Sequence, residues 1–300
     1  MQPCTRTDRT ENIEVNQEKD AMKVLVTGYH GQLGYDVVKL LEKQGDEVLG
    51  ATREHFDLTD EARIKEFIRS FKPEVVVHCA AYTLVDKAED NKDLCYAVNV
   101  LGTRYLAEAC KEVGAKMVYI STDYVFDGSS TRPYETDDKV SPVNYYGETK
   151  LQGEYEVMNL LKNHFIVRIS WVFGENGNNF VKTMLRLAET RNELNVVGDQ
   201  YGSPTYTKDL AILIAEMIRT DRYGIYHASN EGTCSWNEFA KAIFETRGLE
   251  VKVNSIPTKD YPTRAKRPMS SIMSKDKLEQ HGFKRLPDWK DALQRYLDQM

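Results

Sequence analysis

The stretch KVLVTGYHGQLG, residues 23–34, joins two unlike patterns without a break. Lys23 to Thr27 form a short, β-branched apolar run of the kind that fills a strand buried on both faces. Gly28, Gly31 and Gly34 then recur at every third position, and LGYDVVKLLEKQG (33–45) continues with Val37, Val38, Leu40 and Leu41 turned inward on a helix. Glycine permits the tight turn and lets backbone approach a pyrophosphate. The helix N-terminus that follows offers unpaired N–H groups and the positive end of the helix dipole to that anion. Strand, glycine turn and helix in this order predict a dinucleotide-binding unit, with Gly28, His30, Gly31, Gln32, Leu33 and Gly34 as its contacts.

Outward from this unit the same alternation repeats. DEVLGA (46–51), EVVVHCA (74–80) and KMVYIST (116–122) read as further strands, and EARIKEFIRSF (61–71) as a helix that stops before Pro73. DLCYAVNVLGTRYLAEACKEVG (93–114) reads as one long helix. Uniformly apolar strands separated by amphipathic helices predict an α/β fold, a doubly wound parallel sheet of the Rossmann type. After about residue 170, glycine, proline and aromatic residues punctuate shorter elements, as in NVVGDQYGSPTYT (195–207) and GIYHASNEGTCSW (224–236). The expected division is therefore an NAD(P)-binding domain at 22–170 and a smaller substrate lobe at 171–300, with interleaving allowed. Residues 1–21 are charged, poor in large apolar side chains and without a secretory hydrophobic stretch, so they are expected to form a disordered tail.

Composition narrows the function classes. Of the 300 residues, 41% are hydrophobic and 29% charged, and the net charge is −6, so no basic footprint for nucleic acid or anionic membrane is present. No apolar run has the length of a membrane span. The five cysteines are widely spaced, which fits a reducing, cytoplasmic setting, and Cys79 inside its apolar run is expected to be a buried small hydrophobe. No H-E-x-x-H or clustered Cys/His argues for a metal. A Mg²⁺ ion at the contact of a homodimer is left open.

Two Tyr-x-x-x-Lys pairs occur, Tyr35/Lys39 and Tyr146/Lys150, and the spacing puts both members of each on one helix face. Tyr35 and Lys39 fall in the helix just after the glycine loop, where a structural or solvated role is expected. NYYGETK (144–150) instead follows the fourth strand, whose end YISTDYVFDG (119–128) brings Ser121, Thr122 and Asp123 to the sheet edge where open α/β sheets gather catalytic groups. Tyr145 is offset by about 100° around the helix and should not share the face of Lys150.

With these residues in view, the chain resembles the extended short-chain dehydrogenase/reductases. Within them HCAAYTLVDKAE (78–89), YISTDYVFDG, RISWVFG (168–174), NNFVKTMLRLA (178–188) and DQYGSPTY (199–206) resemble the dTDP-4-dehydrorhamnose reductases, over essentially residues 22–300. The resemblance implies reduction of a dTDP-4-keto-6-deoxy sugar. Tyr146 would be the general acid, Lys150 would tune it and hold the nicotinamide ribose, and Thr122 would hydrogen-bond the ketone oxygen. A nearby ammonium is expected to lower the phenol pKa from its usual value near 10. Ala80, Ala81, Tyr82 and Thr83 are implied as cofactor contacts, Asp57 and Leu58 as the adenine side, and Asn99 as a polar site beside the catalytic helix. An N-cap at Asp57 or Thr59 is the rival reading there. Val85, Asp123, Tyr124, Trp171 and Arg267 are implied on the substrate side. Arg264 and Lys266 join Arg267 as candidates for the substrate diphosphate, and His78 is expected to be a satisfied core histidine. At the end of the second strand stand Thr52 and Arg53, with no carboxylate at the position that would repel a 2′-phosphate. NADPH is therefore the expected cofactor, with NADH tolerated and Arg53 as the phosphate contact. Two other readings share the resemblance: a sugar-nucleotide epimerase or 4,6-dehydratase, disfavoured because Tyr124 stands where dehydratases carry glutamate, and a non-catalytic subunit like the regulatory partner of methionine adenosyltransferase.

Overall fold

A computed structural model describes residues 21–300. The expectation for the N-terminal tail, and Cys4 within it, lies outside these residues. Four strands follow the sequence pattern closely: β1 (Lys23–Thr27), β2 (Glu47–Ala51), β3 (Val75–His78) and β4 (Lys116–Thr122), and a fifth, β5 (His164–Ile169), lies beside β4. A sixth strand, Gly224–His227, completes an all-parallel sheet of order β2-β1-β3-β4-β5-(224–227). Side chains alternate across it. Val24, Val26, Val75, Val77 and Val118 bury into one core, Leu25, Val76, Met117 and Ile166 into the other, so both faces are covered. Helix α1 (Gln32–Lys43) covers the first face and α2 (Glu61–Phe71) the second. The N-cap of α2 is Asp60, whose carboxylate accepts from the Arg63 N–H at 2.9 Å, not Asp57 or Thr59. Asp57 instead closes a local turn, accepting from the Thr59 N–H and hydroxyl.

One departure from the sequence pattern and one return of the chain shape the molecule. The long helix expected over 93–114 is a short helix, Lys92–Tyr96, then a π-helical turn at Ala97–Leu101, then the helix Gly102–Val113. The wider turn aims the Asn99 side chain inward, where its oxygen accepts from the Tyr82 N–H (2.7 Å) and its amide donates to the Thr149 hydroxyl (3.0 Å). The return of the chain makes the two lobes interleave. A separate core forms around Phe173, Val181, Tyr206, Phe239, Trp289 and Tyr296. The helix Thr207–Met217 and the strand Gly224–His227 nevertheless pack into the first core, against α1 and β5.

Candidate active site

At the carboxyl ends of β1, β3 and β4 lies a cleft of about 590 Å³. Its floor is the glycine turn. Gly28 has φ 75°, and a Cβ there would stand 2.8 Å from the Ala80 nitrogen, so the turn closes only without a side chain. A Cβ on Gly34 would stand 2.4 Å from the Gly28 carbonyl oxygen, which explains how closely α1 seats on the loop. Gly31 caps α1 without a side-chain hydrogen bond, and no acidic residue lies in its first turn, so the helix start is left free for an anion. These features fit a dinucleotide.

The opposite wall is the helix Tyr145–Leu160. Asn144 caps it by accepting from the Gly147 N–H at 2.8 Å, and Gly147 lets it approach the Tyr124 carbonyl, which a Cβ would strike at 2.2 Å. Thr122, Tyr146 and Lys150 thereby reach the same cleft. Tyr145 points elsewhere, its ring under the Lys92 ammonium at 5.1 Å. Tyr35 and Lys39 pair with one another on α1, with the Lys39 nitrogen 5.7 Å from the Tyr35 ring centre.

The electrostatics differ from the sequence expectation in one respect. Burial holds the Tyr146 phenol well above its usual value, with the Asp123 carboxyl adding to the effect and Thr122 opposing it. Burial also pushes the Lys150 amine down to about 7, against the pull of Glu154. Desolvation thus outweighs the expected lowering of the phenol by the lysine. The result is a neutral phenol at pH 7, which is the form a proton donor needs. Asp123 is buried, accepts from the Thr122 hydroxyl at 2.9 Å and is pushed up to about 6 by burial. Its second oxygen has no hydrogen-bond partner. His78 is buried between the Thr27 hydroxyl (2.7 Å) and that of Thr103 (3.2 Å) and is pushed down to about 3, so it is a neutral core residue.

The structure brings most of the sequence candidates together. Gly28, Gly31, Gln32, Leu33, Ala80, Ala81 and Thr83 line the cleft on the glycine-loop side, and Val85, Thr122, Asp123, Tyr124 and Trp171 line it on the other. Cys79 is half-buried and also lines it rather than lying deep in the core, its thiol pushed up to about 12. Gly34 acts from beneath, through the loop it packs on. Tyr82 and Asn99 bind each other behind the wall. His30, Arg53 and Asp57 are exposed and Leu58 packs against Gly102, so these four lie off the cleft lining. Arg267 lines a second cleft of about 770 Å³, which shares Tyr124 and Trp236 with the first. One Arg267 nitrogen pairs with Asp86 at 2.7 Å and another has no partner. Arg264 pairs with Asp90 on the surface, and Lys266 is exposed.

Sequence reasoning missed Trp236. It stacks on Trp171 with ring centres 3.6 Å apart and forms part of both cleft walls. Trp171 holds a left-handed φ of 48°, a costly conformation for a side chain of this size. The readable signal was the place of Trp236 straight after Ser235, in the capping-box spacing Ser235/Glu238 at the start of the helix Trp236–Thr246. Among the described residues no cluster of three or more His, Cys, Asp or Glu could hold a metal, and no helix is long and apolar enough to cross a membrane.

Comparison with known proteins agrees with this geometry. The family model for the RmlD substrate binding domain matches residues 22–300. The spore coat polysaccharide biosynthesis protein SpsK of Bacillus subtilis is 44% identical, covering 92% of this chain and 97% of its own. The dTDP-4-dehydrorhamnose reductase of Escherichia coli is 38% identical, covering 93% and 98%. Among solved structures, the dTDP-4-dehydrorhamnose reductase of Bacillus anthracis in complex with NADP superposes with a TM-score of 0.91 at 42% identity, over 93% of this chain and 100% of that one. With a Rossmann-like parallel sheet, a glycine turn and Thr122, Tyr146 and Lys150 in one cleft, the chain belongs to the dTDP-4-dehydrorhamnose reductase family.

Proposed function

We propose that this protein is an NADPH-dependent reductase of a dTDP-linked 4-dehydro-6-deoxyhexose, the 4-keto precursor of dTDP-L-rhamnose. The observation that carries the reading is the convergence of Thr122, Tyr146 and Lys150 on a cleft floored by an uncapped helix start. Bound nicotinamide supplies the hydride to the keto carbon. Tyr146 gives its proton to the keto oxygen, and the Thr122 hydroxyl, turning from Asp123 to that oxygen, steadies the charge that develops there. Lys150 holds the ribose and, in its ammonium form, offsets the phenolate left on Tyr146 until the phenol takes a proton back from solvent. The neighbouring cleft takes the nucleotide end of the substrate, with Arg191 and the unpaired Arg267 nitrogen toward the diphosphate and Phe180 and Tyr261 as flat apolar surfaces. Gly28, Gln32, Ala81 and Thr83 serve the cofactor, and Arg53 its 2′-phosphate. Val85, Tyr124 and Trp171 flank the sugar.

The test is NADPH oxidation by the purified protein against a panel of nucleotide-linked 4-keto sugars. NADPH consumption is expected with the dTDP-4-dehydro-6-deoxy sugar, matched mole for mole by the 4-hydroxy product. Absence of oxidation with every member of the panel overturns the reading.

A further inference from the structure

Beneath the cleft lies a buried polar cluster that none of the roles above uses. Glu154 is fully buried on the helix that carries Tyr146 and Lys150, one turn beyond the lysine. Both its oxygens are engaged. Arg168 of β5 binds it in bidentate fashion, Nε to Oε1 at 2.9 Å and Nη2 to Oε2 at 2.7 Å, and the Ser121 hydroxyl of β4 donates to Oε1 at 2.5 Å. Arg168 is itself buried. Its remaining nitrogen meets the Thr136 carbonyl (3.2 Å) and the ring of His227 (3.5 Å), a histidine that burial pushes down to about 3 and so leaves neutral. Ser121 immediately precedes Thr122. One carboxylate therefore joins the strand that presents Thr122, the strand beside it and the helix that presents Tyr146 and Lys150.

We propose that Glu154 is a positioning residue of this site, pinning the catalytic helix to β4 and β5 and supplying the counter-charge for the Lys150 amine. The groups that act on Lys150 or share its cleft come from four elements, besides the Arg168 guanidinium of β5 bound to Glu154. They are the Tyr119 ring of β4, 4.0 Å from the amine, His78 and Cys79 at the end of β3, Cys95 of the helix Lys92–Tyr96, and Tyr146 and Glu154 of its own helix. His78 is neutral at pH 7, and the Cys79, Cys95, Tyr119 and Tyr146 groups are all held above their usual values, so they are neutral as well. Glu154 is the anion of the set. A buried ion pair is often replaceable by apolar residues without loss of stability. The Glu154–Arg168 pair therefore does more than hold the fold if its removal changes the protonation of the lysine.

The role of Glu154 rests on the reductase reading for its meaning, but its test does not use turnover. The double variant Glu154→Leu/Arg168→Met removes both charges together. Competitive labelling with acetic anhydride, followed by mass spectrometry of the peptide containing Lys150, gives the apparent pKa of that amine. At a one-turn separation and an effective dielectric constant of about 20, loss of the carboxylate alone would lower it by roughly one to two pH units. Loss of the Arg168 cation offsets part of this, so the double variant is expected to lower it by about half a unit to one unit while the melting temperature stays within a few degrees, and Glu154→Gln by the full amount. The same titration in wild type and variant overturns the proposal. Should the double variant fail to fold, Glu154→Gln alone is titrated in the same way, with the same two outcomes. Failure of the sugar panel in the wild-type protein sinks the assigned reaction and leaves this titration standing.

Discussion

Replacing Asp123 by Asn should make the protein relatively more stable as pH rises from 4 to 7. Asp123 is 3% exposed, one oxygen has no hydrogen-bond partner, and burial raises its pKa from 3.8 to about 6 despite help from the Thr122 and Ser271 hydroxyls. Because the folded value lies above the unfolded one, the unfolded chain loses this proton first. Below about pH 4 both states are protonated and the side chain costs nothing. Between 4 and 6 stability falls as pH rises, and above 6 the full cost is present. Two pKa units at 1.36 kcal/mol each give about 3 kcal/mol. Asn is neutral throughout, so the difference in unfolding free energy between variant and wild type should grow by about 3 kcal/mol over that range, whatever fixed offset the amide introduces. Urea denaturation of both proteins at closely spaced pH values measures this directly. Groups common to the two proteins cancel in the difference. A difference that stays flat from pH 4 to 7 refutes the view of Asp123 as a carboxylate kept in the site at a cost in stability.

Other outcomes are expected from the same geometry. Tyr146→Phe should bind NADPH normally but lower kcat by roughly 10²–10⁴, the scale for losing a positioned proton donor, while Tyr145→Phe loses far less; equal losses in steady-state assays refute the helix-face argument. Gly34→Ala places a methyl 2.4 Å from the Gly28 oxygen and should destabilise the fold by roughly 1–3 kcal/mol and weaken NADPH affinity, measured by thermal melting and calorimetric titration. Arg53→Ala should weaken NADPH and leave NADH unchanged, erasing a roughly ten- to hundredfold preference in kcat/KM; an unchanged ratio removes Arg53 from the 2′-phosphate site.

How much of this is legible from residue order depends on how local each signal is. β1 to β4, the glycine turn and the Tyr146/Lys150 face are set by neighbours within one or two turns, and the pattern Lys116–Thr122 is readable to the residue. The π-helical turn at Ala97–Leu101 is not, because what favours it, the bonds from Asn99 to Tyr82 and Thr149, joins segments far apart in the chain. In sequence Glu154 looks like one more surface glutamate, and only the distant Arg168 and Ser121 reveal it as buried. Protonation escapes the sequence for a related reason. The spacing of a tyrosine and a lysine is visible there, whereas the desolvation that outweighs it is a property of the assembled cleft.

The return of the chain to its first core has a consequence for biosynthesis. β5 ends at Ile169, but the strand that covers its free edge, Gly224–His227, is made about fifty residues later, and the helix Thr207–Met217 that shields α1 comes only shortly before it. At a synthesis rate of roughly 5–20 residues per second, a nascent chain spends seconds with a bare parallel edge and an uncovered apolar helix face. Ribosome-bound chains stopped before residue 207 should therefore be captured by chaperones, and released full-length chains, with both cores complete, should escape them.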